Sequence, residues 1–274
     1  MGAPAIKKKK LDLRKTLFLL PNLITLTSIF CGFDSIRLSA SAQSDEDYYL
    51  AALLVVYALF FDMLDGRVAR LTKTQSAFGL QIDSLADVVS FGVAPSLLVY
   101  KWSLERLGTA GIVIAFLFTA AGAVRLARFN VLSMGENGQP TKPGKYIVGL
   151  PVPGAAGVLL SLVIANHAIG GDLGSVKYLY AMAGLVVFLS FLMVSTVKFR
   201  SFKDLKLNAR SIGLVMFAVV SSAAVALKTK PAFVLVWLLG CYVVIALVET
   251  MIMVPRGIAE RRRARADRTS IPPT

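Results

Sequence analysis

Histidine and cysteine are nearly absent from this chain, with one His and two Cys in 274 residues. Cys31 and Cys241 sit far apart inside apolar runs, which excludes a disulfide scaffold and any Cys/His zinc site. They read as small packing residues. His167, at the end of an apolar run, is a poor candidate for acid–base work. Charge is scarce too. Only 17% of residues are charged, against about 25% in soluble domains. Acids are the scarcest class, with 16 Asp and Glu facing 30 Lys and Arg, for a net charge of +14. What is abundant is apolar surface, at 56% of residues and a mean hydropathy of +0.68. A disordered chain and an ordinary cytosolic enzyme are excluded, and a polytopic membrane protein is implied.

The hydropathy pattern predicts an all-α membrane helical bundle of about eight transmembrane helices, over 16–40, 48–71, 77–100, 108–128, 149–168, 177–197, 210–228 and 231–254. Each is long enough to cross about 30 Å of hydrocarbon. The expected organisation is a basic cytoplasmic segment over 1–15, one integral membrane domain over 16–254, and a basic cytoplasmic tail over 255–274. With the N-terminus inside, 24 of the 30 basic residues fall in cytoplasmic segments. That leaves Arg37, Lys101, Arg106, Lys177, Lys228 and Lys230 outside. This bias predicts that both termini are cytoplasmic. The first apolar run is too long for a secretory signal peptide. The basic ends read as anchors for an anionic leaflet, and K-F-R-S-F-K-D-L-K-L (198–207) reads as an interfacial segment. No aromatic interleaving or reader fold accompanies the basic residues, so nucleic acid is not an expected partner.

Against that background four acids stand out. Asp62, Asp65, Asp83 and Asp87 are the only carboxylates between Leu50 and Ser103, and all lie in predicted helices. An ionisable group inside a span costs roughly 2.5–3.5 kcal/mol on insertion scales, so it needs a partner or a task. Asp62 and Asp65 are spaced i,i+3, and Asp83 and Asp87 i,i+4, so each pair shares one helix face. A short connection makes the two helices antiparallel neighbours, and the acidic faces then converge. Arg67 and Arg70 are too few to neutralise four acids. Divalent cations are the natural compensation, and oxygen-only ligands favour Mg²⁺, Mn²⁺ or Ca²⁺. Carboxylates in a span also suit the ion pathway of a cation-coupled transporter, which is the rival reading from another class. Gly66, Ala69 and Gly79 beside the acids make room for a flat ligand or for tight helix packing. Arg70 offers a planar donor fork to a phosphate.

A second polar cluster follows the fourth span. Arg125 and Arg128 share a face, with Asn130, Lys142 and Lys145 after them. Positive-inside bias accounts for such a cluster, as does an anion site for an acceptor carboxylate or a lipid phosphate.

The stretch from Asp62 to Asp87 resembles the CDP-alcohol phosphotransferase family, whose signature is D-x2-D-G-x2-A-R-x8-G-x3-D-x3-D. Asp62, Asp65, Gly66, Ala69, Arg70, Gly79, Asp83 and Asp87 fill all eight fixed positions. P-N-L-I-T-L-T-S-I-F-C-G-F (21–33), S-F-G-V-A-P (90–95), R-L-A-R-F-N (125–130) and G-L-P-V-P-G-A-A (149–156) are similar to its membrane phosphatidylserine-forming branch. The resemblance implies a metal-dependent homodimeric enzyme of the inner cell membrane, its active site facing the cytoplasm. It implies transfer of a phosphatidyl group from CDP-diacylglycerol to L-serine, releasing CMP. The runner-up acceptors are glycerol phosphate and inositol phosphate. By the family pattern Asp62, Asp65, Asp83 and Asp87 hold two divalent cations, Mg²⁺ or Mn²⁺, with Ca²⁺ as a crystal substitute, and Asp87 is the base. Pro21, Asn22, Gly66, Ala69, Arg70, Ser76 and Gly79 are expected around the CDP-lipid. Arg125, Arg128, Asn130 and Lys145 are expected on the acceptor or phosphate side.

Overall fold

In a computed structural model, the described residues are 13–72, 74, 76–133, 146–200, 221–222 and 233–245. They form an α-helical bundle. The helices are α1 (Leu13–Ser41), α2 (Asp45–Leu71), α3 (Ala77–Asp87), α4 (Ala94–Trp102), α5 (Thr109–Ser133), α6 (Val152–Ile169), α7 (Leu179–Val194) and α8 (Phe233–Ile245). A π-helical segment, Val88–Val93, fuses α3 and α4 into one rod, Ala77–Trp102. Among the described residues six helices are long and apolar enough to cross a membrane, and α8 is apolar but shorter. The protein is an integral membrane protein. The expected span over 210–228 and the ends of that over 231–254 lie mostly outside the described residues, as do the N-terminal segment up to residue 12 and the tail from 255.

Of the segment 198–207, Lys198–Arg200 are described and pair antiparallel with Tyr146–Val148, while 201–207 lie outside the described residues. Pro21 lies inside α1, as the predicted first span has it, and the helix begins at Leu13.

Local chemistry sets the ends and joints. Ser44 caps α2, its hydroxyl accepting from the Asp47 N–H while Asp47 Oδ2 accepts from the Ser44 N–H at 3.0 Å. This reciprocal box satisfies two otherwise orphaned donors. It also gives the acidic S-D-E-D run a place at the positive end of a helix dipole. The π segment has a cause in Pro95. Proline lacks an N–H and its ring clashes with the carbonyl four residues back. The turn widens there, so that the Ala94 N–H reaches Val89 O.

The α1–α2 interface is the most extensive in the bundle. It is built as lipid-embedded interfaces are, from small residues and hydroxyls. Ala51, Ala52, Val55 and Ala58 of α2 are fully buried, while Ser28 and Ser35 of α1 donate to Ala58 O at 3.0 Å and Ala51 O at 2.8 Å. On the same face of α1, between those serines, a Cβ at Gly32 would stand 2.7 Å from Ser90 Oγ and 2.8 Å from Ser90 Cα. α1 therefore locks the two acid-bearing rods. It holds α2 through serine hydroxyls and the π segment through a backbone approach that only glycine permits.

Candidate active site

The four aspartates converge. Asp62 and Asp65 come from the C-terminal half of α2, and Asp83 and Asp87 from the body and end of α3. One carboxylate oxygen from each of Asp62, Asp65 and Asp83 lies within 4.8 Å of the other two. Asp62 is also within hydrogen-bond reach of Asp87. Asp87 lies within electrostatic range of Asp62, Asp83 and the Arg125 guanidinium of α5. Its Oδ1 is buried and has no hydrogen-bond partner among the described residues. Arg67 and Arg70 are exposed, and neither forms an ion pair with these acids among the described residues.

Thr25 joins the cluster from α1 and is 4% exposed, with its hydroxyl 2.5 Å from Asp65 Oδ2 and 3.1 Å from Pro21 O. Sequence reading passes it over. The available signal is its place one helical turn after Pro21, on the face that carries Pro21 and Asn22.

An oxygen-only donor set with one orphaned carboxylate oxygen, buried in a membrane bundle, fits a divalent cation. The cluster therefore has the donors to hold a metal.

Next to the acids lies a cleft of about 170 Å³, lined by Pro21, Asn22, Thr25, Gly66, Ala69, Ser76, Gly79 and their neighbours, with Asp65 and Asp83 in its wall. Its floor is shaped by missing side chains. A Cβ on Gly66 would meet nothing within 4 Å and would project into open space. One on Gly79 would stand 3.2 Å from Ser76 Oγ and 3.8 Å from Asn22 Oδ1. Ser76 is the N-cap of α3, its Oγ accepting from the Gly79 N–H at 2.9 Å. The buried Thr74 also lines the cleft, and its hydroxyl lies 2.7 Å from that of Thr72.

Six of the seven residues expected around the nucleotide line this cleft. Arg70 does not. It is exposed in the last turn of α2.

The chain belongs to the CDP-alcohol phosphatidyltransferase family. That family's model matches residues 18–194, which carry the acids, the cleft and α1 to α7. The CDP-diacylglycerol–serine O-phosphatidyltransferase of Helicobacter pylori (strain J99) is 36% identical over 248 residues, covering 90% of this chain and 98% of the relative. The enzyme of that name from Bacillus subtilis (strain 168) is 32% identical over 184 residues, covering 67% of this chain and 91% of the relative. The archaetidylserine synthase of Methanothermobacter thermautotrophicus is 34% identical over 182 residues, covering 66% of this chain and 69% of the relative. The chain is thus an enzyme of the CDP-alcohol phosphatidyltransferase type.

The basic residues of α5 separate on inspection. Arg125 is buried, at 8% exposure, with its guanidinium 5.7 Å from the Phe129 ring centre and its Nε without a hydrogen-bond partner among the described residues. Arg128 is engaged elsewhere. Its Nη1 donates to Val194 O at 3.2 Å, capping the negative end of α7. Asn130 Nδ2 donates to Ser84 Oγ at 2.8 Å and ties α5 to α3 between the two acids of that helix. Lys145 lies outside the described residues. His167 stacks on Tyr49 and faces Glu46 at the far end of α2 from the acids.

Proposed function

We propose that this enzyme transfers the phosphatidyl group of CDP-diacylglycerol to L-serine, giving phosphatidylserine and CMP, with its active site facing the cytoplasm. The observation that carries the proposal is the meeting of Asp62, Asp65 and Asp83 beside a cleft that has Asp65 and Asp83 in its wall and lacks side chains at Gly66 and Gly79. A pyrophosphate-linked nucleotide needs both features, namely charge compensation for its phosphates and backbone-close space for its flat parts. The serine acceptor is favoured by relatives that are named for it.

In this reading Asp62, Asp65, Asp83 and Asp87 hold Mg²⁺ or Mn²⁺, and Thr25 orients Asp65 as a partner behind the ligands. Bound there, the cations neutralise the pyrophosphate, polarise the phosphorus and stabilise the departing CMP. Pro21, Asn22, Ser76 and the glycines seat the CDP portion. Arg125 meets the serine carboxylate. Asp87 accepts the proton from the serine hydroxyl as its oxygen bonds to the phosphorus that carries diacylglycerol. The bond from that phosphorus to the bridging oxygen breaks, and CMP leaves. Holding the two substrates in this arrangement supplies much of the rate. The cytoplasmic facing rests on the predicted topology, which assigns 24 of the 30 basic residues to cytoplasmic segments.

The test is CMP release by purified protein given CDP-diacylglycerol, Mg²⁺ or Mn²⁺ and a panel of alcohols. Release that depends on L-serine is expected. CMP formed only with glycerol 3-phosphate or inositol phosphate, or ion flux across vesicles without any CMP, would overturn the assignment.

A further inference from the structure

At the end of the bundle away from the acids lies a second cavity, of about 520 Å³. Asp45, in its wall, opens α2, and Asp62 lies roughly 25 Å further along the same helix at 1.5 Å per residue. The rod ends in this wall with Lys101 and Trp102, and the turn Leu104–Leu107 follows. The loop after α6, with Gly171 to Ser175, completes the enclosure. These parts are tied together. The Tyr48 phenol donates to Lys101 O at 3.2 Å and joins α2 to the rod. Arg106 Nη1 donates to Gly174 O, and Asn166 Oδ1 accepts from the Leu173 N–H at 2.8 Å. A Cβ on Gly174 would stand 2.7 Å from Trp102 Nε1, so the loop is laid directly on the indole.

The polar groups of this cavity are left open. Ser103 lines it and is 1% exposed, and its Oγ has no hydrogen-bond partner among the described residues. The Ser175 Oγ is likewise buried and unpartnered there. A buried hydroxyl in this condition is costly unless a ligand engages it. Lys101 pairs with Glu105, whereas Asp45 and Asp172 form no ion pair among the described residues. A guanidinium has five N–H groups, so Arg106 keeps donors beyond the one given to Gly174. The cavity thus presents two free carboxylates and a free guanidinium edge. Its acids are too dispersed to cage a metal. Asp45, Glu105 and Asp172 do not bring three oxygens within 4.8 Å of one another, as Asp62, Asp65 and Asp83 do. Charges of both signs, spread over this volume, suit an organic zwitterion.

We propose that this cavity binds the headgroup of an aminophospholipid from the leaflet opposite the active site. Asp45 and Asp172 take the ammonium, the free N–H groups of Arg106 take the phosphate, and the Ser103 hydroxyl gains a headgroup oxygen. Depth selects a lipid over a soluble zwitterion. The span of α2 begins at Asp45, that of the rod ends at Trp102 and that of α6 at Ile169, which is the level of the headgroup layer. Trp102 and Tyr48 are of the residue types that gather at that level. The inference is independent of the acceptor assigned above, since no residue of this cavity belongs to the catalytic site.

The chain has two tryptophans, and Trp237→Phe leaves Trp102 as its only indole. The experiment titrates dihexanoyl-phosphatidylethanolamine into the full-length Trp237→Phe protein in detergent and follows Trp102 emission. A saturable change is expected. Asp45→Asn/Asp172→Asn should raise the apparent Kd about 10-fold or more, the range for lost charge-assisted hydrogen bonds. CMP release by that variant should stay within about twofold, which shows that it is folded. The two single variants, each expected to raise Kd about 3- to 10-fold, replace it if it does not fold. Asp62→Asn/Asp83→Asn should titrate like its parent. Dihexanoyl-phosphatidylglycerol, which lacks the ammonium, should not saturate, and glycerophosphoethanolamine, which lacks the tails, should bind more weakly. No saturable change, equal response to the glycerol lipid, or an unaltered Kd in the Asp45 and Asp172 variants would overturn the proposal. Loss of binding in Asp62→Asn/Asp83→Asn would place the lipid at the active site instead. Equal affinity for glycerophosphoethanolamine would make the ligand a soluble zwitterion and overturn the lipid assignment.

Discussion

Thr25 and Asp87 show how the site divides its labour among single side chains. The Thr25 hydroxyl, 2.5 Å from Asp65, fixes one carboxylate without supplying charge. Thr25→Val keeps the shape and removes that contact. The expected result is about a 10- to 100-fold higher Mg²⁺ or Mn²⁺ concentration for half-maximal activity, the range for losing a partner behind a metal ligand, with maximal turnover largely recovered at saturating metal. A metal titration of CMP release reads this, and an unshifted curve would remove Thr25 from the site. Asp87 is assigned the proton instead. Asp87→Asn is expected to lower turnover by about 10²- to 10⁴-fold while CDP-diacylglycerol still binds. Unimpaired turnover would show that another group is the base. At Gly79 a methyl would press on the Ser76 cap at 3.2 Å and crowd Asn22. Gly79→Ala should therefore raise the KM for CDP-diacylglycerol and leave that for serine alone. Equal effects on both would mean that the glycine serves packing only.

At the scale of elements, the rod Ala77–Trp102 and its joint with α1 determine whether the acids meet. Gly32→Ala would place a methyl 2.8 Å from the Ser90 backbone, which has little freedom to retreat. Forced overpacking of this kind costs about 1–3 kcal/mol. The expected outcome is a lower Tm in detergent together with lost activity, since the π segment it displaces begins one residue after Asp87. Gly32→Ala protein with unaltered Tm would show that the α1 contact is not tight. Much of this element-level design is legible in the sequence. Two acid pairs at helical spacing, separated by a short connection, already require convergence, and the first six spans are set by long apolar runs. The unread parts depend on contacts between distant segments. Thr25 meets an aspartate 40 residues away, and the hydrogen bonds of Arg128 to α7 and of Asn130 to Ser84 likewise join segments far apart in sequence. The proline-induced π turn is local in cause, but helical periodicity does not reveal it.

For the whole molecule, the bundle is held by apolar and small-residue packing and by serine hydroxyls, with the four site acids gathered where the C-terminal part of α2 meets α3. Chelation should therefore stop CMP release without unfolding the protein. Circular dichroism in excess EDTA is expected to keep its helical signal, and re-addition of Mg²⁺ or Mn²⁺ to restore turnover. A cooperative loss of helix on chelation would instead make the metal a structural element. The central claim is that aspartates from two neighbouring helices jointly hold divalent cations at the CDP-lipid cleft. Electron paramagnetic resonance of Mn²⁺ titrated into the purified protein tests it most directly. The account predicts protein-bound Mn²⁺ in the wild type and its loss in the Asp62→Asn/Asp83→Asn variant, whereas equal binding by both proteins, or binding by neither, would contradict it.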